Sequence, residues 1–187
     1  MTASAKVAVV TGGAQGIGRS TAELLAQRGY RVAIIDLNPP VSTIAAIESA
    51  GGEVFGFVGD ITSEAVVEEF KRSVLAHYGR VDVLVNNAGI SLISPAEQTL
   101  AADYRRVLEV NLVAPFLLAK AFGTKMLEAR AGSIVNVASV AGLLGVADRA
   151  AYNASKHGLV GLTRTPRPPH SAASVRVRPT RPCFEAL

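Results

Sequence analysis

The sequence contains no tryptophan, a single cysteine (Cys183) and few aromatic residues, which make up 5% of the chain. One cysteine excludes an intrachain disulfide and argues against a cysteine-based metal site. Because aromatic side chains are scarce, the hydrophobic content of 49% comes mainly from small aliphatic residues. A core of that kind is typical of a sheet that helices cover on both faces.

Long apolar runs and an N-terminal leader are also missing. A membrane-spanning helix needs about 20 consecutive, predominantly apolar residues, and no run of the sequence approaches that length. The first residues lead directly into a strand-like run and lack the charged and apolar regions of a signal peptide. We therefore expect a cytoplasmic protein with no membrane partner.

The basic character of the chain is confined to its C-terminal end. Four of the 19 lysines and arginines, but only one of the 15 acidic residues, lie in residues 165–187. Residues 1–164 are nearly balanced, so the net charge of +4 arises mainly from this end. Without a basic stripe on the rest of the chain, we expect no nucleic-acid partner.

Five apolar runs alternate with segments of helical periodicity along residues 1–164. The longest helix is predicted at residues 100–130, and another begins at Tyr152. The apolar runs predict strands at residues 6–10, 31–35, 54–58, 81–85 and 133–137. This alternation predicts an α/β fold with a doubly wound parallel sheet and right-handed crossovers.

Residues 165–187 differ from the rest of the chain in composition. They contain five of the nine prolines and no hydrophobic periodicity. Because proline lacks the backbone N–H and clashes with the preceding turn, the helix that begins at Tyr152 should end near Thr165. We therefore predict one domain at residues 1–164 and an irregular tail at residues 165–187.

A glycine-rich segment, TGGAQGIG at residues 11–18, follows the first strand and leads into a helix. Glycines let the backbone turn tightly and approach a pyrophosphate, and a helix N-terminus offers free N–H groups and a positive dipole. The spacing Gly12-x3-Gly16-x-Gly18 differs from the more common G-x-G-x-x-G pattern, and an ordinary turn is the alternative. The order of strand, loop and helix favours a dinucleotide-binding site.

Polar residues follow the second, third and fourth strands, at the edge where open α/β sheets bind ligands. They are Asp36, Asp60 and the sequence Asn86-Asn87-Ala88-Gly89. Asp60 could receive an adenine amino group or cap the next helix. Asn86 and Asn87 could order their loop, and the small residues after them would let a cofactor lie close.

Asp36 indicates which nicotinamide cofactor the site would take. It lies 18 residues beyond Gly18, where a carboxylate can accept hydrogen bonds from both hydroxyls of the adenosine ribose. Its alternative role is to cap the strand end. The carboxylate would also repel a 2′-phosphate, and Leu37 offers no cation to offset that repulsion. Although Arg19 is a contrary feature, we expect NAD, with NADP less favoured.

Tyr152 and Lys156 are four residues apart, so they lie on one face of a helix. A nearby ammonium stabilises a phenolate, and such a tyrosine can exchange a proton with an alcohol or carbonyl oxygen. On its own, the pair is better explained as part of a surface helix. Ser139, after the fifth strand, could hold the reacting oxygen or cap a turn. Asn111 could order water behind Lys156, or it could be exposed or bonded to the backbone.

Taken together, these motifs resemble those of the short-chain dehydrogenase/reductase family over residues 6–164. The matching positions, all in family order, are Thr11-Gly12-x3-Gly16-x-Gly18, Asp60, Asn86-Asn87-Ala88-Gly89, Asn111, Ser139 and Tyr152-x3-Lys156. The resemblance implies an oxidoreductase that transfers a hydride between NAD(H) and an alcohol or carbonyl substrate. It also implies the strand order 3-2-1-4-5 and no metal.

The resemblance assigns roles to individual residues. It implies a catalytic tetrad in which Tyr152 is the acid/base, Lys156 promotes its ionisation, Ser139 positions the substrate oxygen and Asn111 supports a water relay. The cofactor contacts that it implies are Gly12, Gly16, Ile17, Gly18, Asp36, Asp60, Ile61, Asn87, Ala88, Gly89, Tyr152 and Lys156.

The C-terminal end departs from the family pattern. Family members continue the tyrosine helix beyond Pro166 and then add further strands and a segment that covers the substrate. We therefore expect the last strands to be missing or reduced to a remnant near residues 175–177, through a shifted reading frame or in a genuine shortened variant. An inactive nucleotide-binding remnant is the alternative function. The resemblance also implies a homodimer, and the lost strands argue against a tetramer.

Overall fold

The computed structural model describes residues 5–165 and the backbone of residues 174–179. The strands are β1 (Val7–Thr11), β2 (Arg31–Asp36), β3 (Val54–Val58), β4 (Val83–Asn86), β5 (Ala131–Asn136) and β6 (Ser174–Pro179). The α-helices are α1 (Gly16–Gln27), α2 (Val41–Ser49), α3 (Glu64–Tyr78), α4 (Ala101–Leu108), α5 (Ala114–Glu128) and α6 (Ala150–Thr163). A π-helical segment, Glu109–Val113, joins α4 to α5.

The strands form one parallel sheet in the order β3-β2-β1-β4-β5-β6. This confirms the predicted doubly wound α/β fold and the strand order 3-2-1-4-5. Successive side chains of a strand point to opposite faces, so Val9 and Ile35 belong to one hydrophobic cluster, whereas Val10 and Ile34 belong to another. β1 is buried along its whole length as a result.

The sixth strand is longer than the sequence indicated. We expected it to be missing or reduced to a remnant, but β6 has six residues and pairs with the whole of β5, from Ala131–Ser174 to Asn136–Pro179. The valines in its sequence SVRVRP favour an extended backbone, and pairing satisfies the polar backbone groups along the β5 edge. β6 therefore covers the edge of β5. The rest of the predicted irregular tail, residues 166–173 and 180–187, lies outside the described residues.

The predicted long helix is a continuous helical stretch, Ala101–Glu128, interrupted by the π-helical segment. Within the described part of the chain, it is the one helix long and apolar enough to cross a membrane by length and composition alone. Half of its most apolar window is buried inside the protein, where Leu118 and Phe122 are fully enclosed. The core helix of a soluble protein passes the same test, so the length is weak evidence for a membrane span.

Candidate active site

The loop between β1 and α1 and the first turn of α1 leave no room for a side chain at Gly12 and Gly18. Gly12 has a φ of +67°, and a Cβ there would lie 2.9 Å from Cα of Ala88. A Cβ on Gly18 would overlap the carbonyl oxygen of Gly12 and the side-chain nitrogen of Asn87. Helix α1 begins at Gly16, and the first N–H groups of a helix have no partner within it. Bare backbone and helix N–H groups therefore meet where an anion can bind.

Thr11 and Asn87 tie this loop to the segment after β4. The Asn87 amide donates to the carbonyl oxygens of Thr11 (2.9 Å) and Gly12 (3.1 Å). The Thr11 hydroxyl accepts from the N–H groups of Asn87 and Ala88, both at 3.0 Å. From α2, the buried Thr43 hydroxyl donates to a loop carbonyl at 2.8 Å. Neither threonine was identified from the sequence as a support for this loop. Thr11 could have been found because it begins the glycine motif, whereas no local sequence signal marks Thr43.

The other asparagine of the segment, Asn86, is buried in the core rather than directed at the glycine loop. Its amide donates to Oδ1 of Asn136 at 2.8 Å, and the Asn136 amide donates to the Thr163 hydroxyl at 2.9 Å. All three side chains are buried. They form an internal chain of hydrogen bonds that joins β4 and β5 to the last turn of α6, the helix that carries Tyr152.

A cleft of about 400 Å³ opens at the carboxyl edge of the sheet. Arg106, which sequence reasoning missed, lines it, as do most of the residues expected to contact a cofactor: Gly12, Gly16, Ile17, Asp36, Asp60, Ile61, Asn87, Ala88 and Gly89. Gly18 packs beneath the loop instead. Tyr152 and Lys156 lie outside this lining, towards β5.

Asp36 ends β2 and holds two backbone groups. Its carboxylate accepts from the N–H of Ala14 (2.9 Å) and from the N–H of Asn38 (3.0 Å). The strand-end capping that the sequence left open is therefore present, in a carboxylate that also lines the cleft. Arg19 is engaged elsewhere, because its side chain pairs with Glu23 at 2.7 Å.

Asp60, after β3, is held from two sides. One carboxylate oxygen accepts from the N–H (2.9 Å) and the hydroxyl (2.7 Å) of Thr62, and the other accepts from the Arg106 guanidinium at 3.2 Å. Partial burial acts to raise the pKa of Asp60, but the hydrogen bonds from Thr62 and Arg106 outweigh it and lower that pKa. Arg106 is 46 residues away in the chain, so no local pattern could have indicated this contact.

Asn111 lies in the π-helical segment and is completely buried. Its amide donates to the carbonyl oxygen of Ile90 (2.8 Å) and to the Ser155 hydroxyl (3.1 Å), and its Oδ1 accepts from the N–H of Ile90 (2.8 Å). The sequence left two local roles open for Asn111. The hydrogen bonds to the backbone are present, and the prediction of an exposed side chain is wrong. Asn111 thus fastens the segment after β4 to α6.

Lys156 and Tyr152 come together on α6, as their spacing predicts. The Lys156 side chain is buried, and its Nζ donates to the carbonyl oxygen of Val137 at 2.8 Å and lies 5.7 Å from the centre of the Tyr152 ring. Burial lowers the pKa of Lys156 to about 8. A Cβ added to Gly89 would lie 3.7 Å from this nitrogen. The far end of the cleft lining therefore adjoins the Tyr152–Lys156 pair.

Lys156→Met should alter how the stability of the ligand-free protein depends on pH. The unfolded chain keeps this lysine protonated up to about pH 10.4, whereas burial lowers the pKa in the fold to about 8. Burial of the charged lysine therefore lowers the free energy of unfolding by its full amount below pH 8, and this loss disappears as the pH rises towards 10.4. We expect the wild type to gain roughly 2–3 kcal/mol relative to Lys156→Met over that range. Urea unfolding at several pH values measures this gain. The exposed Lys125→Met is the control, and equal slopes for all three proteins would contradict the expectation.

Ser139 follows β5 and caps the short 3₁₀ segment Val140–Gly142, because its Oγ accepts from the N–H of Ala141 at 3.2 Å. This is the local role that the sequence left open for it. A Cβ on Gly142 would lie 2.7 Å from the carbonyl oxygen of Lys156. The segment after Ser139 therefore packs directly against α6.

The short chain dehydrogenase family model matches residues 6–184. The chain is 39% identical over 179 residues to a D-threitol dehydrogenase of Mycolicibacterium smegmatis, covering 95% of this chain and 69% of that protein. The structure of a metagenomic short-chain oxidoreductase in complex with NADP is 41% identical, with a TM-score of 0.82, and the match covers 84% of this chain and 73% of that one. A levodione reductase structure is 35% identical, with a TM-score of 0.88 and coverage of 93% and 69%.

The chain spans about two thirds of the length of the curated relatives it matches. These relatives are dehydrogenases, reductases and other oxidoreductases. The family match covers nearly the whole chain, including every strand of the sheet and the residues around the cleft. This protein therefore belongs to the short-chain dehydrogenase family.

Proposed function

We propose that this protein is an oxidoreductase that transfers a hydride between NAD(H) and an alcohol or carbonyl substrate. The main support is the buried Lys156 ammonium, which lies beside Tyr152 and near Gly89, where the lining of the glycine-walled cleft ends. This chemistry requires a side chain that can transfer a proton, a charge partner for it, and an adjoining cleft that can hold the cofactor.

The residues of the cleft fit a nicotinamide dinucleotide, which when bound would accept or give the hydride. The bare backbone at Gly12 and the N-terminus of α1 suit a pyrophosphate. Asp36 suits the hydroxyls of the adenosine ribose, and Asp60 suits the adenine amino group. Gly89 has no side chain to screen Lys156, since an added Cβ would lie 3.2 Å from Asn111 Oδ1 and 3.7 Å from Lys156 Nζ, so the nicotinamide ribose could approach Lys156 there.

Tyr152 is the proposed acid/base, which exchanges a proton with the substrate oxygen. The Lys156 charge stabilises the phenolate, and its hydrogen bond to Val137 fixes the ammonium in place. The Ser139 hydroxyl would turn from the Ala141 N–H to hold the same substrate oxygen. Asn111 keeps the segment at Ile90 against α6 and, in this proposal, supports the water that relays protons behind Lys156.

A panel of secondary alcohols and polyols offered with NAD⁺ tests the proposed function through the appearance of NADH. Thermal melting with and without NAD⁺, on the same sample, separates binding from turnover. Turnover of at least one alcohol supports the proposal. A melting temperature raised by NAD⁺, without turnover of any substrate, would instead support the inactive nucleotide-binding remnant.

NAD is the proposed cofactor in preference to NADP, although one relative was solved in complex with NADP. A 2′-phosphate would meet the Asp36 carboxylate. Arg19 of α1 already pairs with Glu23, and Arg106, which lines the cleft, already pairs with Asp60. Neither cation is free to offset the repulsion, so the adenosine ribose should bind best without a phosphate.

Asp36→Ala is expected to weaken NAD⁺ binding about tenfold or more and to narrow or reverse the preference over NADP⁺. The variant loses hydrogen bonds to a charged group, which contribute about 1.5–3 kcal/mol each, and it removes the repulsion of a phosphate. Calorimetric titration of both cofactors measures the change. Glu48→Ala, at an exposed acid of α2, should leave both affinities unchanged. Wild-type affinity for NADP⁺ equal to or above that for NAD⁺ would reject the assignment.

An uncharged, largely apolar substrate is proposed because of the side chains beside α6. Leu143, Leu144 and Val146 follow Ser139 and are exposed, and the amide of Asn153, next to Tyr152, holds the backbone of Val146 at 2.8 Å. Exposed apolar side chains in the segment that leads into α6 favour burial of apolar substrate groups. A higher kcat/KM for threitol than for a cyclic secondary alcohol would reject this class.

A homodimer in the cytoplasm is the proposed form of the enzyme. The helical stretch Ala101–Glu128 carries exposed apolar side chains, Phe116 and Leu127 among them, and pairing with a second copy would remove their apolar area from water. A tetramer is not expected. Multi-angle light scattering measures the mass directly, and a monomer at every concentration would reject the dimer.

A further inference from the structure

Arg106 has no part in the chemistry described so far, yet it lies in the wall of the cleft. Among the described residues that line the cleft it is the one cation. It is on α4, whereas its partner Asp60 follows β3, the strand farthest from β5 and Tyr152. The Arg106–Asp60 pair therefore belongs to the end of the cleft that is remote from hydride transfer.

We propose that Arg106 is a specificity residue for the adenylate half of the cofactor. Arg106 acts by holding the Asp60 carboxylate towards the adenine amino group. The inference rests on the proposed function, because it takes the adenine end of a dinucleotide as the occupant. Arg106 is a positioning residue in this role, since it acts through Asp60 rather than on the reacting atoms.

The hydrogen bonds around Asp60 fix its carboxylate in one orientation. The Arg106 guanidinium donates to Oδ2 of Asp60 (3.2 Å) and to the Thr62 hydroxyl (3.1 Å). That hydroxyl in turn donates to Oδ1 of Asp60 (2.7 Å). The three side chains form a closed ring of contacts. Each carboxylate oxygen can accept two hydrogen bonds, so the oxygen that faces Arg106 retains capacity for an amino group.

The Arg106–Asp60 ion pair is too exposed to water for folding stability to be its main role. The side chains of Arg106 and Asp60 are 45% and 37% exposed, and ion pairs this open to water contribute little to folding. The lowered pKa of Asp60 keeps the carboxylate ionised, and an ionised carboxylate only accepts hydrogen bonds. An amino group is therefore the chemistry that this end of the cleft would recognise.

Arg106→Gln separates this role from the rest of the site, because it removes the cation and leaves the fold. Calorimetry on the full chain would compare NAD⁺, AMP, and nicotinamide mononucleotide, which lacks the adenylate. We expect the Kd of NAD⁺ and of AMP to rise about fivefold to twentyfold, the range for a weakened hydrogen bond to a charged group. The Kd of nicotinamide mononucleotide should stay within about twofold. With NAD⁺ as the varied substrate, KM should rise while kcat at saturation is unchanged.

Further variants test whether the effect is specific to the Arg106–Asp60 pair. Arg105→Gln, at the exposed neighbouring arginine, should bind all three ligands as the wild type does. Arg106→Lys should fall between wild type and Arg106→Gln, because an ammonium keeps the charge but lacks the planar fork that bonds two acceptors at once. In an Asp60→Ala background, Arg106→Gln should add little further loss, since residues that act through one contact are not additive.

Unchanged NAD⁺ and AMP affinities in Arg106→Gln would overturn the role of Arg106 while leaving the proposed function intact. Equal weakening of nicotinamide mononucleotide, or full additivity with Asp60→Ala, would also overturn it. A wild-type protein that binds neither NAD⁺ nor AMP would overturn the proposed function itself, and this inference with it.

Discussion

Tyr152→Phe is expected to lower kcat by about 10²–10⁴-fold, the usual contribution of a positioned acid or base. Only the hydroxyl is removed, so the ring near the Lys156 ammonium keeps its place on α6. The affinity for NAD⁺ should therefore change little. Steady-state kinetics on the best alcohol of the panel, with a calorimetric Kd for NAD⁺, measures both quantities.

Tyr30→Phe is the matched control, because it makes the same chemical change at the other end of the sheet, where the strands begin. Tyr30 directly precedes β2, whereas Tyr152 serves the edge at which the strands end. The control should retain wild-type kcat. If Tyr152→Phe also kept its rate in an active preparation, Tyr152 would not be the acid/base.

Gly18→Ala is expected to destabilise the fold by about 3 kcal/mol or more, at the upper end of the range for overpacking. The added methyl group would overlap the carbonyl oxygen of Gly12 and the amide nitrogen of Asn87. Neither can move freely, because Asn87 is bonded to the backbone of Thr11 and Gly12. The loop must open to admit the methyl group, so NAD⁺ binding should be lost as well. Urea unfolding and calorimetry measure the two effects.

Gly161→Ala makes the same substitution where there is space. Gly161 lies within α6 and is exposed, and none of the described residues has an atom within 4 Å of an added Cβ there. Alanine favours a helix over glycine by about 0.8–1.0 kcal/mol, so this variant should be slightly stabilised. A Gly18→Ala protein as stable as the wild type, with NAD⁺ binding intact, would contradict the packing described for the loop.

Much of the fold was predictable because its signals are local. Apolar runs, helical periodicity and glycine ends recur along the chain, and they identified five strands and the helices between them. Ser63 illustrates this: serine is a preferred N-cap residue, and its hydroxyl accepts from the N–H of Val66 at the start of α3. The four-residue spacing of Tyr152 and Lys156 likewise brings them to one helix face.

The π-helical segment and β6 had weaker signals. The periodicity of residues 100–130 indicates a helix, but it does not reveal that the hydrogen bonds shift at Glu109–Val113, where Asn111 bonds to Ile90 and Ser155. The sequence of β6 looked like a remnant because its strand-like run is short. Its pairing with β5 depends on a neighbour that lies more than 40 residues earlier in the chain.

The sequence by itself therefore determined the α/β class, the glycine-rich turn, and the polar residues that end each strand, since periodicity and spacing encode these features within a few residues. Only the tertiary structure decided how those residues are held. Thr43 against the glycine loop, Asn111 between Ile90 and Ser155, and Arg106 on Asp60 join positions 21 to 46 residues apart. Such contacts exist only after the sheet has aligned its strand ends, because a hydrogen bond depends on distance in space and carries no trace in the local sequence.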